Sequence, residues 1–228
     1  MKKTILSSAL LAVLMCVSGG AQASLVGRDI NGNAVAGNDA ISVFLYDTVL
    51  DVTWLRNTNA NGLMNWSQAN TWATNLVMGA YDGWRLPTIQ PINGTSFNYN
   101  FTNDGTSDKG YGAIGVGWGT ASEMGHLFYV TLGNIPGSLS NTGDFQNLEV
   151  RNYWYGSADA SDTGYAWGFN TGYGTQDYGT TSQDLYALAV RSGDVAPSAV
   201  PVPAAAWLMA SGLGALGVAA RKRRAKAA

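Results

Sequence analysis

His126 is the sole histidine among 228 residues, so a Ser-His-Asp triad or a histidine-ligated metal would have to be built on it. Neither a Gly-x-Ser-x-Gly elbow nor a His-Glu-x-x-His pattern accompanies it. On a helix it would lie roughly 160° around the axis from Met124, opposite the apolar stripe, which predicts a structural or surface histidine. Carboxylates offer a second chemistry: Glu123, Asp144 and Glu149 are of the type that cleaves glycosidic bonds in pairs. Cation binding is a third. Asn103, Asp104, Ser107 and Asp108 gather oxygens in a glycine-containing loop, as calcium requires, but lack the closing Glu of an EF-hand. Asp104 and Asp108 are the candidate calcium ligands, weighed against a solvated turn.

Aromatic rings supply a non-covalent chemistry. Tyr99, Tyr111, Trp118, Tyr173 and Tyr178 stand in glycine-rich or polar segments, where they could form exposed faces for sugar rings, with Asn and Asp nearby for the hydroxyls. Trp54, Trp66, Trp72, Trp84 and Trp154 are assigned to a core instead. Gly110, Gly112 and Gly115 have the spacing of a dinucleotide fingerprint, yet they follow a loop and open no helix, so a flexible glycine loop is expected.

The elements that must hold these residues are legible from periodicity. Residues 41–46 and 51–55 are rich in β-branched and aromatic side chains about a short connection, which predicts a hairpin. Asn65 and Gln68 have capping-box spacing, and Trp66, Ala69, Trp72, Ala73 and Leu76 repeat at helical period, predicting a helix over 66–78 that Gly79 ends. Thr120 and Glu123 read as a second capping box before Met124, Leu127, Phe128, Thr131 and Leu132, with Gly133 as the stop. Residues 83–87 read as a short strand ended by Pro87, 89–119 as a long polar loop, and 153–157, 165–169 and 185–191 as strands. Strands flanking two helices make an α+β domain.

The termini carry separate signals. Lys2 and Lys3 precede an apolar stretch, and Ala21 and Ala23 give the small-x-small pattern of a signal peptide over 1–23, cleaved by signal peptidase before Ser24. At the other end Val200, Pro201, Val202 and Pro203 precede an apolar run over 204–220 and a basic tail over 221–228. Such a run is near the lower limit for a transmembrane helix, with the tail on the cytoplasmic side. The segment 24–196 is then an exported domain, long enough for one core. Its 15 acidic residues against six basic ones leave a net charge of about −9. That balance argues against nucleic acid as a partner. Cys16, the only cysteine, lies in the signal peptide, so packing alone must hold the fold.

Four stretches, Asp51–Asn57, Tyr81–Thr88, Ser122–Tyr129 and Tyr186–Asp194, resemble the DUF1566 family, also called the Lcl C-terminal domain. The resemblance implies a C-type lectin-like fold in which two helices flank antiparallel sheets. The oxidase branch of that superfold uses cysteines, which this domain lacks. The segment 197–228 resembles a PEP-CTERM sorting signal, with Val202 where that family usually has Glu. This implies processing by an exosortase in a Gram-negative bacterium that makes exopolysaccharide. The expectation is therefore a non-enzymatic adhesion or matrix domain without a cofactor other than calcium. It would be anchored for a time in the inner membrane facing the periplasm, then placed at the cell surface to bind polysaccharide or a surface protein. A carboxylate-based glycan hydrolase and a purely structural biofilm component are the alternatives.

Overall fold

The computed structural model describes residues 24–158 and 162–197. Ala21, Ala23, Val200, Pro201, Val202, Pro203 and the apolar span 204–220 lie outside the described residues; Ser24, at their start, hydrogen-bonds Thr48. The chain enters through Leu25–Arg28 (β1) and Ala34–Val35 (β2), then forms the expected hairpin from Phe44–Asp47 (β3) and Val52–Leu55 (β4). Asp47 closes its turn by accepting the N–H groups of Val49 and Leu50. Side chains alternate across the pair: Leu45 and Trp54 enter the main core, Phe44 and Leu55 a smaller one on the other face. All four residues of β4 are consequently buried.

Leu63–Met64 (β5) leads into Trp66–Asn75 (α1), where both halves of the Asn65–Gln68 capping box form. The helix stops three residues before the expected Leu76–Met78 end is completed, because Leu76 is already extended and Met78 pairs with Tyr81 in a turn around Gly79. Ala69 and Ala73 let α1 approach Leu86, Trp154 and Ala166 closely. Residues 83–87 do not form a strand. Gly83 takes φ of 71° and Pro87 has no N–H to give, so only Arg85 pairs, in a two-way backbone bridge with Val190.

The expected long loop contains Phe101–Thr102 (β6), Lys109–Tyr111 (β7) and Gly117–Thr120 (β8). The second helix is one turn, Glu123–His126 (α2), continued by a π-helical turn over Leu127–Thr131. Its N-cap is Ser122, whose hydroxyl accepts the Gly125 N–H, and not Thr120, which ends β8. The π-turn widens the helix so that Leu127, Phe128 and Tyr129 are all buried in succession, which a 3.6-residue period does not allow for.

Asn152–Ala158 (β9), Tyr165–Asn170 (β10), Thr175–Thr180 (β11), Leu185–Tyr186 (β12) and Val190–Ser192 (β13) are the remaining elements of the described residues. The strand expected over 185–191 is divided, since buried Ala187, Leu188 and Ala189 carry the chain from one sheet to the other. One sheet has the order β13-β4-β3-β1-β2, the other β5-β12-β9-β10-β11-β7-β6. Pairing is antiparallel except for β12 with β9 and β6 with β7. Among the described residues the architecture is α+β and sheet-rich, with two short helices. No helix among the described residues is long and apolar enough to cross a membrane.

Candidate functional site

The stretches most distinctive in the sequence meet in one structural clasp. Arg85 donates two hydrogen bonds of 2.7 Å to the Glu123 carboxylate, which also accepts the Thr88 N–H at 2.6 Å. Beside it the Ser122 hydroxyl lies 2.7 Å from the Tyr155 hydroxyl, which reaches Gln176 at 3.3 Å. Burial pushes the Tyr155 phenol far above its ordinary pKa and that of Tyr129 up to about 12, so both stay neutral donors. His126 closes α2 and is 4% exposed, and neither ring nitrogen makes a well-formed hydrogen bond. Burial pushes its imidazole pKa down, against the Asp47 charge and the Gly119 backbone. It is enclosed and not on the surface, because the single helical turn that carries it is buried all round.

Ligand-accessible chemistry lies elsewhere, on the face of β9, β10 and β11 turned away from the aromatic core. Registers set its rows: Asn152 pairs with Asn170 and Asn170 with Thr175; Trp154 pairs with Gly168 and Gly168 with Asp177. These residues line a groove of about 260 Å³, together with Gln183 and Leu185. Gly168 contributes no side chain to the lining, and the Leu185 side chain lies beside it, 3.6 Å from where a Cβ at 168 would stand. Asn amides, a Thr hydroxyl, a Gln amide and one carboxylate offer alternating donors and acceptors, as adjacent sugar hydroxyls require. Asp177 is paired with Lys109 at 3.0 Å, and the ammonium sits 4.4 Å from the Tyr178 ring centroid. Burial opposes the Lys109 charge, but Asp177 and Tyr178 outweigh it and raise the pKa. The groove thus carries an internally neutralised ion pair.

The five predicted sugar platforms separate. Trp118 is 5% exposed and its indole donates to the Ser107 carbonyl at 2.7 Å, so it is core. Tyr99 stacks on Trp167 with centroids 5.8 Å apart and meets Tyr178 edge-on at 5.6 Å; both rings pack against the main core. Tyr111 is half-buried beside Phe101. Tyr173 remains 60% exposed, in the β10–β11 turn that adjoins the groove, where Asn170 accepts the N–H groups of Gly172 and Tyr173. The groove's Asn152, Asn170, Thr175, Asp177 and Gln183 were not singled out by sequence. Their signal is the alternation in 165–170, where Trp167 and Phe169 interleave with Gly168 and Asn170.

Asp104 and Asp108 have different roles. Exposed Asp104 accepts the Thr106 N–H and hydroxyl, which hold its carboxyl below the usual range. Asp108 is fully buried and accepts the N–H groups of Ile92 and Asn98, pinning the loop between them. No group of three or more metal-ligating acidic, His or Cys side chains occurs among the described residues. The carboxylates considered for hydrolysis are separately engaged: Glu123 by Arg85, and Glu149 by Arg151 at 3.5 Å on the surface. Asp144 contributes its backbone carbonyl to Arg56.

No curated protein and no solved structure matches the chain significantly. The family profile described as the Lcl C-terminal domain matches residues 44–191, a span that takes in β3 through the start of β13, the clasp and the groove. On that match the chain belongs to the Lcl C-terminal domain family.

Proposed function

We propose that this is a non-enzymatic binding domain of the cell surface or extracellular matrix that takes neutral polysaccharide in the groove over β9, β10 and β11. The observation that carries the reading is a groove walled by neutral amides and a hydroxyl, whose one carboxylate is already matched by Lys109. An anionic glycan would meet no unpaired cation there, and a domain of net charge about −9 would repel it. Tyr173 gives the groove an exposed aromatic edge for a pyranose face. Membership of the Lcl C-terminal domain family supports an extracellular setting, and the α+β architecture is compatible with a C-type lectin-like ancestry. Calcium is not needed by this reading.

The test is a glycan array with and without calcium, followed by titration of the best neutral oligosaccharide into Gly168→Leu. A Cβ at 168 would sit 3.3 Å from the Tyr153 carbonyl and 3.6 Å from the Leu185 side chain, so the new side chain crowds the groove at some cost in strand packing. Binding should fall below detection at a temperature where circular dichroism shows the variant still folded, even though its unfolding midpoint drops. No neutral glycan above background in either condition would sink the proposal.

The delivery route belongs to the same reading. The domain is exported by its signal peptide, held transiently in the inner membrane by the 204–220 span, and released to the surface by an exosortase acting at the Val200–Pro203 region. Mass spectrometry of the mature surface protein checks this: loss of the chain beyond that region supports sorting, and a retained basic tail refutes it.

A further inference from the structure

Arg56 follows β4 and is 6% exposed, yet no carboxylate pairs with it among the described residues. Its Nε donates to the Asp144 carbonyl at 2.8 Å, and its Nη1 to the carbonyls of Asp39 and Ser42 at 2.6 and 3.0 Å. All three acceptors are neutral backbone oxygens. Nη2 makes none of these bonds. A guanidinium enclosed to this degree normally has an anion beside it, since an unmatched buried charge costs several kcal/mol even after relaxation. The acidic residues next to it direct their carboxylates elsewhere: Asp39 caps the Ile41 N–H, and Asp144 lies against Gly37.

Arg56 lines a cleft of about 450 Å³ between the β3–β4 hairpin and the end of α1. Val43, Trp72, Leu76 and Met78 form apolar walls, and Asn57 and Gln146 add polar groups to the lining. A cleft of this size suits a small molecule or the end of a chain. It is built on the other sheet from the glycan groove and does not depend on that reading.

We propose that the cleft binds an organic carboxylate attached to a compact apolar group, with the anion supplying the missing partner of Arg56 and the apolar part filling the space between the walls. Charge complementarity fixes the head of the ligand and the lining fixes its body. A free small acid and a chain terminus ending in an apolar residue share this chemistry.

The experiment titrates N-acetyl-leucine and its uncharged amide, N-acetyl-leucinamide, into the whole exported domain by calorimetry. The acid should bind roughly 10-fold or more tightly than the amide, the value of one charge-assisted hydrogen bond. Arg56→Lys should remove most of that preference. Because Arg56 also holds three backbone carbonyls, a second variant, Ala60→Trp, blocks the cleft from its exposed rim and leaves the guanidinium in place. It should abolish binding of the acid without moving the unfolding midpoint. An acetylated tetrapeptide ending in leucine that binds more tightly than N-acetyl-leucine assigns the site to a chain terminus, and weaker binding assigns it to a free acid; either supports the site. Equal binding of acid and amide, absence of binding by the acid, or full binding by Ala60→Trp would overturn it.

Discussion

Glu123 and Asp177 are both carboxylates held by a basic side chain, but they stand in opposite surroundings. Glu123 has a side chain only 9% exposed and receives three donors, two from Arg85 and one from the Thr88 backbone. Asp177 is 52% exposed, and its pairing with Lys109 uses one oxygen. In the clasp, polar groups are matched from within the protein, so removing one leaves another stranded in a low dielectric. In the groove the matching is partial, since Asn170 accepts two backbone N–H groups and Asp177 is paired at one oxygen, and the remaining polar atoms can exchange solvent for a ligand. The difference separates what the chain needs in order to fold from what it can offer to a partner.

The largest effect should come from breaking the clasp. Glu123→Ala leaves Arg85 without its anion and the Thr88 N–H without an acceptor, and should cost about 3 kcal/mol in urea unfolding. Binding of oligosaccharide per folded molecule should be unchanged, because the Glu123 carboxylate is hydrogen-bonded by Arg85 and Thr88, neither of which lines the groove. A cost below about 1 kcal/mol would mean that the pair is replaceable by water and the clasp is not what joins these stretches.

How much of this was legible follows the same division. Strong local signals survive: the Asn65–Gln68 box forms as written, and the 41–55 region is a hairpin because turn and alternation agree. Signals that depend on tertiary partners failed. Glu123 has capping spacing with Thr120, but Arg85, brought near by the Val190 bridge, takes its carboxylate and leaves capping to Ser122. The π-turn reset the helical period and enclosed His126. Trp118 and Tyr99 sit in polar sequence because the turns around them are polar, while their rings fill a core with few aliphatic residues. The groove escaped notice because Asn, Thr and Gly are individually unremarkable in such a chain, and only strand register brings them side by side.

A second way to sharpen the contrast is pH, since His126 lies inside the clasp helix. Its pKa is depressed in the folded state, so the unfolded chain binds the proton more readily. Its contribution to stability is present above the unfolded value of about 6.5 and is lost as pH falls from there through the folded value. Denaturation midpoints measured between about pH 7 and 5 should therefore fall for the native chain. His126→Phe, which puts an apolar ring in place of two nitrogens that make no well-formed hydrogen bond, should flatten that dependence and leave midpoints at neutral pH little changed. An unaltered slope in the variant would assign the acid sensitivity to the carboxylates.

The smallest effect on stability, and the most informative for the groove, is expected from Asp177→Ala. An ion pair this exposed contributes within about 0.5 kcal/mol, so the unfolding midpoint should hold. Affinity for a neutral oligosaccharide should fall about tenfold with the lost acceptor. Lys109, still held over the Tyr178 ring, would then stand next to the groove's edge without its counter-ion. Selectivity should consequently turn toward oligosaccharides containing uronic acid, with a salt dependence that the native groove lacks. Retention of the neutral preference in this variant would show that Asp177 and Lys109 are a surface pair and that sugar discrimination resides in the amides of Asn152, Asn170 and Gln183.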